Sequence, residues 1–492
     1  MHFIIKVFPE IFVKSPPVRK RFIKHLRDNL RRLIAPLEAP VEVKSDWEKL
    51  EVTSPGASEQ LTAQVADILG RTPGIGNYSL IQAYPLGDLE DIFQKVLFHW
   101  REALEGKSFC VRVKRNGDHP FTSVEVERYV GGGLLQHTGA SRVDLHHPDV
   151  VVSLEIKHNR LFVVSTRYQG LGGYPLGAQD AVLSLISGGF DSTVSTYLCI
   201  RRGLRSHYCF FNLGGRAHEM GVKEVAYYLW NKYGASHRVK FVSVPFEEVV
   251  REILEKVDNA FMGVVLKRMM LRAAEKVAES LEIPALVTGE SVAQVSSQTL
   301  VNLNVIDRVT DMVVLRPLAT MDKGEIIDLS RKIGTETFAA SMPEYCGVIS
   351  VNPSTRAKLH RVEQEEQKFD FAVLEQAIAD RIAQNIDEVV DDLHADLSVP
   401  VVAEPGQGQV VIDIRHPDEE ETRPLPALDV PVLKIPFYSL NNRFGTLDAQ
   451  ATYLLYCQKG VMSQLHASHL KDGGHSNVGV YRPEPVSACA LS

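Results

Sequence analysis

Two short stretches of this 492-residue chain combine residue types that can do chemistry. The first is Ser187-Gly188-Gly189-Phe190-Asp191-Ser192-Thr193. Its two glycines let the backbone approach an anion without Cβ clashes. Ser187, Ser192 and Thr193 offer hydroxyl donors. Asp191 cannot bind phosphate itself, but it can hold Mg²⁺ or polarise an attacked group. The run follows an apolar strand pattern over 181–186 and precedes an expected amphipathic helix from Val194. Unpaired N–H groups and a partial positive charge of about 0.5 therefore gather at the helix start. A bare Gly-Gly turn would need no ligand, whereas the full string after a buried strand argues for one. The chain has no match to the kinase-type GxxxxGK[ST] loop.

The second stretch starts at Cys457, which follows a strand-like TYLLY and precedes a helical pattern. The order Cys-x-x-Gly-x-x-Ser, from Cys457 to Ser463, places a thiol on a loop whose N–H groups point inward. With a helix start and Lys459 nearby, such a loop is expected to lower the thiol pKa and stabilise a thiolate or persulfide. A core cysteine after a strand is the common alternative; the Lys-Gly-x-x-Ser that follows favours function. Upstream, QVVIDIRHPDEE (409–420) ends a strand in Asp413-Ile414-Arg415 followed by acids.

Other segments fit a nucleotide pocket. In ALVTGESVAQVSSQTL (285–300) an apolar strand ends in Thr288-Gly289-Glu290, and a Ser/Gln-rich helix is expected next. Ligands collect at such strand ends in open α/β sheets. Gly289 can admit the nucleotide closely and Gln298 can bond it. Lys267 is one of several cations on a helix and, taken alone, reads best as a surface lysine. The six cysteines form no CxxC pair, so no metal site is expected. Cys346, beside Gly347 in SMPEYCGV, is by spacing alone an incidental loop thiol.

These loops need a scaffold. Apolar residues are 45% and charged residues 23% of the chain, ordinary for a folded protein of three or four domains. No run of about 18 apolar residues offers a membrane span, and the N-terminus lacks a secretory cleavage pattern, so a cytoplasmic location is expected. Net charge is −7, which hides an asymmetry. Between Arg19 and Arg32 stand seven Lys or Arg and one acid, Asp28, while acids dominate from Arg361 to Glu421. Phe22, Leu26, Leu30 and Leu33 share one face of an expected N-terminal helix. Lys20, Arg21, Lys24, Arg27, Arg31 and Arg32 cover much of the rest. A charged helix is more often a solvated face, but this one also reads as a phosphate-binding surface. The segment 170–179 reads as a linker or hinged loop. From 181 to about 394 strands and helices alternate as in a parallel sheet covered by helices. The last piece, from about 397, alternates again, with an expected helix over 449–453.

SGGFDS resembles the PP-loop family of ATP pyrophosphatases, which adenylate a carbonyl oxygen and release pyrophosphate. VIDIR with its acids and Cys457 resembles rhodanese domains, which carry sulfur as a cysteine persulfide. RVDLHHPDVVVSLEI (142–156) is similar to the THUMP RNA-binding domain, although its His146-His147 departs from the residues that relatives often have. With TGES and MPEYCGV, the four segments in this order resemble the tRNA 4-thiouridine synthetase (ThiI) family in its long form. The resemblance implies an α/β multidomain chain. It has a ferredoxin-like domain (1–60), a THUMP domain (61–166), a PP-loop ATP pyrophosphatase domain with a parallel sheet (167–396) and a rhodanese-like α/β domain (404–484).

It implies an activity as well. ATP, with Mg²⁺, adenylates O4 of a tRNA uridine at position 8, and sulfur from a Cys457 persulfide replaces that oxygen. The expected nucleotide-binding positions are Leu185, Ile186, Ser187, Gly188, Gly189, Ser192, Thr193, Lys267, Gly289 and Gln298. Asp191, Cys346 and Cys457 are the catalytic positions. The resemblance supports Cys346 as the second thiol, ending in a Cys346–Cys457 disulfide. That crosslink needs Cα atoms within ~7 Å, so the C-terminal domain is expected to swing onto the PP-loop domain. The implied partners are tRNA, a cysteine desulfurase, the ThiS sulfur carrier of thiazole synthesis, and a second copy in a homodimer. Two other readings remain at this point. A PP-loop amidotransferase or ligase acting on a small molecule leaves the basic helix unused. A non-catalytic RNA-binding protein leaves Asp191 and Cys457 unexplained.

Overall fold

The computed structural model describes residues 1–46, 49–213, 215–341, 353–389, 399–415, 420–421, 423–457, 463, 466–467, 470–471 and 474–483. The chain forms two compact units, Met1–Ala178 and Gln179–Ser492.

In the first unit, eight strands make one sheet. They are β1 (His2–Val7), β2 (Glu42–Ser45), β3 (Lys49–Thr53), β4 (Ile75–Pro85), β5 (Ser108–Asn116), β6 (Arg142–Val143), β7 (Val150–Lys157) and β8 (Arg160–Gln169). Their order is β2-β3-β1-β4-β8-β7-β5-β6. The long β4 pairs with β1 on one side and β8 on the other, so the ferredoxin-like and THUMP-like halves share backbone hydrogen bonds. Helix α1 (Pro16–Ile34) turns Phe22, Ile23, Leu26 and Leu30 into the core and leaves its cations outside, as its apolar spacing requires.

The Gly-rich segment after β8 is not a free linker. Gly172 N–H donates to Ile75 O at 2.8 Å, Asn29 Nδ2 donates to Leu176 O at 2.9 Å, and Tyr174 stacks edge-on against Phe22. Burial of Tyr174 and Leu176 straps residues 170–178 onto the first unit. A composition argument sees only the glycines.

The second unit holds two sheets. The larger contains β9 (Ala181–Leu185), β10 (Arg205–Asn212), β11 (Lys240–Pro245), β12 (Ala285–Val287), β13 (Val313–Leu315) and β14 (Ile382–Asn385). The order is β13-β12-β9-β10-β11-β14, parallel except for β14 at the edge. The chain runs outward from β9 through β10 to β11, then returns to the other side of β9 at β12. That reversal opens a crevice at the C-terminal end of β9, where open α/β sheets bind ligands. The helices that matter for this crevice are α2 (Phe190–Arg201), α3 (Gly215–Leu229), α4 (Met262–Ser280), α5 (Lys323–Ile333) and α6 (Glu336–Ser341). The helix expected to be amphipathic from Val194 is α2, and it is buried on nearly every side. Its hydroxyls are paired internally: Ser195 and Thr196 donate to Ser192 O at 3.0 and 2.7 Å. The Ser/Gln-rich run after Gly289 is a loop with a single 3₁₀ turn, Ser296–Gln298, and helix begins only at Leu300.

The smaller sheet is wholly parallel: β15 (Val401–Val402), β16 (Gln409–Asp413), β17 (Val432–Lys434), β18 (Thr452–Tyr456) and β19 (Val478–Tyr481), ordered β15-β19-β18-β16-β17. The expected helix over 449–453 is absent. Residues 449–451 form a turn and bend, and Thr452 opens β18, because Tyr453, Leu454 and Leu455 are all buried in a central strand. The helix of this region lies earlier, at α7 (Phe437–Phe444).

Candidate functional site

The first candidate site is the loop between β9 and α2. Gly188 has φ +84°, a left-handed conformation that favours glycine, and Gly189 is the N-cap of α2. Ser192 Oγ accepts from Ser187 N–H at 3.2 Å and donates to Gly189 O at 3.2 Å, which closes the loop into a tight ring. Thr193 is fully buried and its hydroxyl caps Phe190 O at 3.0 Å. Ser187 is exposed, while Leu185 ends the strand beneath and buried Ile186 follows it. A concave backbone with free helix-start N–H groups can hold a pyrophosphate.

Asp191 sits at the rim. Lys323 Nζ donates to its Oδ1 at 2.8 Å and Gln294 Nε2 to its Oδ2 at 2.8 Å. Lys323 also lies 5.4 Å from the centre of the Phe190 ring. The sequence reading missed both partners. Lys323 had a signal: Asp322 and Glu325 form a capping box that starts α5, and a helix start beyond a parallel strand points to the same crevice. His218 on α3 was missed as well. Burial pushes its imidazole pKa down, partly offset by a hydrogen bond with the Ser187 backbone.

Gly289 packs directly against the loop. A Cβ there would lie 2.7 Å from Asp191 C and 2.8 Å from Ser192 N, so its space is filled by the loop's own backbone. Beside it, buried Glu290 accepts from Arg316 Nε at 2.8 Å and from Thr288 Oγ1 at 2.9 Å, and lies 3.7 Å from Lys267 Nζ. Burial alone would raise the Glu290 pKa, but the Lys267 and Arg316 charges outweigh it and hold the carboxyl below its ordinary range. Lys267 is thereby half-buried and charge-paired rather than a surface lysine. Gln298 is buried, and its Oε1 has no hydrogen-bond partner among the described residues. An orphaned buried acceptor fits a ligand that donates, such as an adenine amino group. No group of three or more His, Cys, Asp or Glu that could hold a metal stands together among the described residues. A Mg²⁺ here would rest on Asp191 and phosphate oxygens, which suits that ion.

The second candidate site is Cys457 at the end of β18. Ser463 N–H donates to its Sγ at 3.3 Å, and Ser463 Oγ stands at 3.4 Å. The N–H donor on the sulfur favours negative charge there. Ser463, His466, Ala467 and Leu470 are helical and buried, and Ala467 and Leu470 share a hydrophobic core with Cys457. Asp413 and Arg415 form a buried pair, with Arg415 5.0 Å from the Tyr456 ring centre, which fixes the strand end that carries Cys457. Cys346, Lys459 and Gly460 lie outside the described residues. Cys110, Cys199 and Cys209 are buried, and burial lifts the last two to about 12, which disfavours their thiolates.

On the first unit, Arg19, Lys20, Lys24 and Arg27 line a cleft of about 340 Å³ with Ile23, Ser45 and Asp46. Arg31 and Arg32 are elsewhere on α1, and Arg31 Nη2 donates to Val43 O at 2.8 Å, securing β2. Arg21 lies over the Phe22 ring.

Three family models match the chain in order. They are the ThiI ferredoxin-like domain over residues 2–79, the THUMP domain over 87–165, and the thiamine biosynthesis protein (ThiI) model over 177–371. The tRNA sulfurtransferase of Saccharophagus degradans is 56% identical over 483 residues, covering 98% of this chain and all of the relative. That of Pseudomonas paraeruginosa is 58% identical and that of Azotobacter vinelandii 57%, with the same coverage. Among solved structures, a 4-thiouridine synthetase–RNA complex with bound ATP superposes with a TM-score of 0.68 at 26% identity, covering 78% of this chain and 99% of that one. PH1313 from Pyrococcus horikoshii shares the fold, with a TM-score of 0.52 at 19% identity over 68% of this chain and all of that one. No helix among the described residues is long and apolar enough to cross a membrane. With more than half of all residues identical across nearly the full length of such relatives, the chain belongs to the tRNA sulfurtransferase (ThiI) family.

Proposed function

We propose that this protein adenylates O4 of the uridine at position 8 of tRNA and replaces that oxygen with sulfur carried on Cys457. The observation that carries the reading is the presence in one compact unit of a pyrophosphate-shaped loop with a cation-held Asp191 and a thiol whose sulfur accepts from the Ser463 N–H. The ring closed by Ser187, Gly188, Gly189, Ser192 and Thr193 cradles the phosphates of ATP. Leu185 and Ile186 floor the pocket. Gln298 accepts from the base, Lys267 neutralises phosphate charge, and Gly289 keeps the loop seated. Asp191 is the residue that would hold a Mg²⁺, which would offset phosphate charge, and Lys323 stabilises the leaving pyrophosphate.

In chemical terms, uridine O4 attacks the α-phosphorus and pyrophosphate leaves. A cysteine desulfurase supplies the persulfide on Cys457. Its outer sulfur attacks C4 and AMP departs, leaving a C4–S–S–Cys457 adduct. The Cys346 thiolate then attacks the Cys457 sulfur. This releases 4-thiouridine and leaves a Cys346–Cys457 disulfide for an external thiol reductant. Of the four parts of the chain, with the boundary between the second and third at 178/179 rather than 166/167, the first two capture RNA and the last two do the chemistry. The persulfide also supplies sulfur to the ThiS carrier, which the thiamine description of the matching family model supports. A homodimer in the cytoplasm completes the reading.

The test is pyrophosphate release from labelled ATP with tRNA, with small carboxylic acids, and with neither, alongside chromatography of nucleosides from the tRNA. Release that needs tRNA and yields 4-thiouridine supports the proposal. Release driven by a small acid would replace it.

A further inference from the structure

Helix α3 connects the two chemistries in a way that the reaction above does not use. At one end His218 bonds the Ser187 backbone of the nucleotide loop. Along its length Val222, Val225, Ala226 and Leu229 share a hydrophobic core with Ile414, Phe437, Leu440, Cys457, Ala467 and Leu470 of the C-terminal part. Within that apolar contact, His466 Nε2 and Glu224 Oε1 are 2.9 Å apart, with side chains 7% and 6% exposed. Such a buried polar pair contributes little net strength but fixes one register of docking. Phe338 of α6 meets Phe437 of α7 with ring centroids 4.8 Å apart and continues the same contact.

His466 follows Ser463, which donates to the Cys457 sulfur, by three positions. Tyr227 is one turn beyond Glu224. Its side chain packs against the core that contains Cys457, and burial, then the neighbouring Cys457 and Asp387 charges, push its phenol up to about 12. Cys457 is only 7% exposed.

A thiol covered in this way cannot receive sulfur from another protein. Loading requires the Cys457 thiolate to attack the outer sulfur of a donor Cys–S–SH. The outer sulfur stays on Cys457, the donor's cysteine thiolate leaves, and there is no net oxidation. The donor must reach the face that α3 occupies. We infer that this face of the C-terminal part is a docking surface used in turn by α3 and by a protein bearing a cysteine persulfide, with Glu224–His466 as the latch between the two states. The inference rests on reading Cys457 as the sulfur carrier. Docked on α3, the carried sulfur is sheltered from stray reductant and held on the helix that also touches the nucleotide loop. Released, it can be loaded.

The full-length chain tests this by pulsed iodoacetamide labelling with peptide mapping, in wild type, Glu224→Gln, and a charge swap pairing Glu224→Lys with His466→Glu. The expected result is Cys457 labelling on the order of tenfold faster in Glu224→Gln, the scale of one hydrogen bond to a charged group. Cys199 and Cys209 should stay slow, and the swap should return Cys457 toward the wild-type rate. An unchanged Cys457 rate overturns the latch. A rise at all three cysteines together overturns it too, since the pair would then hold the fold rather than a docking state. Glutathione persulfide, offered to wild type and Glu224→Gln, separates the premise: no sulfur on Cys457 in either protein rejects the carrier reading, while the labelling ratio judges the surface.

Discussion

Lys323 Nζ donates to Asp191 Oδ1 at 2.8 Å, joining the start of α5 to the loop after β9 across 132 residues of chain. The pair keeps a cation and a carboxylate at the mouth of the anion-binding loop, where pyrophosphate charge would develop. Asp191→Ala and Lys323→Met should each lower tRNA-dependent pyrophosphate release by about 100-fold or more, the scale of one lost electrostatic partner in a transition state. Persulfide loading of Cys457 should remain. Normal pyrophosphate release by either variant would remove that residue from the adenylation step.

Glu290 is buried between Lys267 and Arg316. Removing its charge leaves two cations facing a low-dielectric wall. Glu290→Gln should destabilise the second unit by about 3 kcal/mol, as breaking a buried pair does. Lys267→Met should mainly raise KM for ATP, because its proposed role is to meet phosphate charge. A Lys267→Met enzyme with wild-type KM for ATP would return Lys267 to a purely structural partner of Glu290.

Helix α1 divides its cations between two tasks. Lys20, Lys24 and Arg27 line the cleft, while Arg31 holds β2 through Val43 O. Replacing Lys20, Lys24 and Arg27 with alanine should weaken tRNA binding. It should also reduce the slope of log affinity against log salt by about 2, at ~0.7–0.9 per lost phosphate contact. Arg31→Ala should instead lower the unfolding midpoint of the first unit with a smaller change in slope. An unchanged slope in the triple variant would return this face to ordinary solvation.

The sequence showed the loops more clearly than their surroundings. SGGFDST stands on consecutive residues, and its physical logic, glycines before a helix start, is local. Gln294 and Lys323 reach Asp191 from more than 100 residues away, and no spacing rule connects them. The expected helix over 449–453 failed because TYLLY can follow either period, and only its place in the centre of a parallel sheet decides for strand. The strap at 170–178 was misread for the opposite reason: its glycines are obvious, whereas the buried Tyr174 and Leu176 depend on α1. Glu224 and His466 carry no sequence signal, since a buried pair 242 residues apart exists only in the fold.

His207 makes the second unit acid-sensitive. Its Nδ1 accepts from Lys240 N–H at 3.1 Å, which requires the neutral ring. Burial, then the Arg205 and Lys240 charges, lower its pKa from 6.5 to about 4. The unfolded chain therefore binds a proton that the folded chain refuses between those values. Stability is full above pH 6.5 and falls as pH drops towards 4, by at most about 3 kcal/mol. Urea unfolding of wild type and His207→Gln across pH 4.5 to 7 should show a shallower pH dependence in the variant. Parallel curves would assign the acid sensitivity to other groups.

The last prediction concerns Cys346, which lies outside the described residues but follows Ser341 of α6 by five positions. Phe338 of that helix packs on Phe437 of the C-terminal part. The eight residues from Phe338 to Cys346 can span at most ~28 Å, and a disulfide needs Cα atoms within ~7 Å. The expected swing of the C-terminal part therefore starts from a position in which α6 already touches the part that carries Cys457. If release of the thiolated base needs Cys346, then Cys346→Ala should abolish 4-thiouridine formation while keeping pyrophosphate release and Cys457 loading. After one turnover without reductant, peptide mapping of wild type should find Cys346 joined to Cys457. Docking on α3 should favour that bond, so Glu224→Gln should load sulfur faster yet form the disulfide more slowly. Wild-type enzyme with both cysteines free after turnover, or joined to other thiols, would eliminate the disulfide route and leave release of the base to an external thiol.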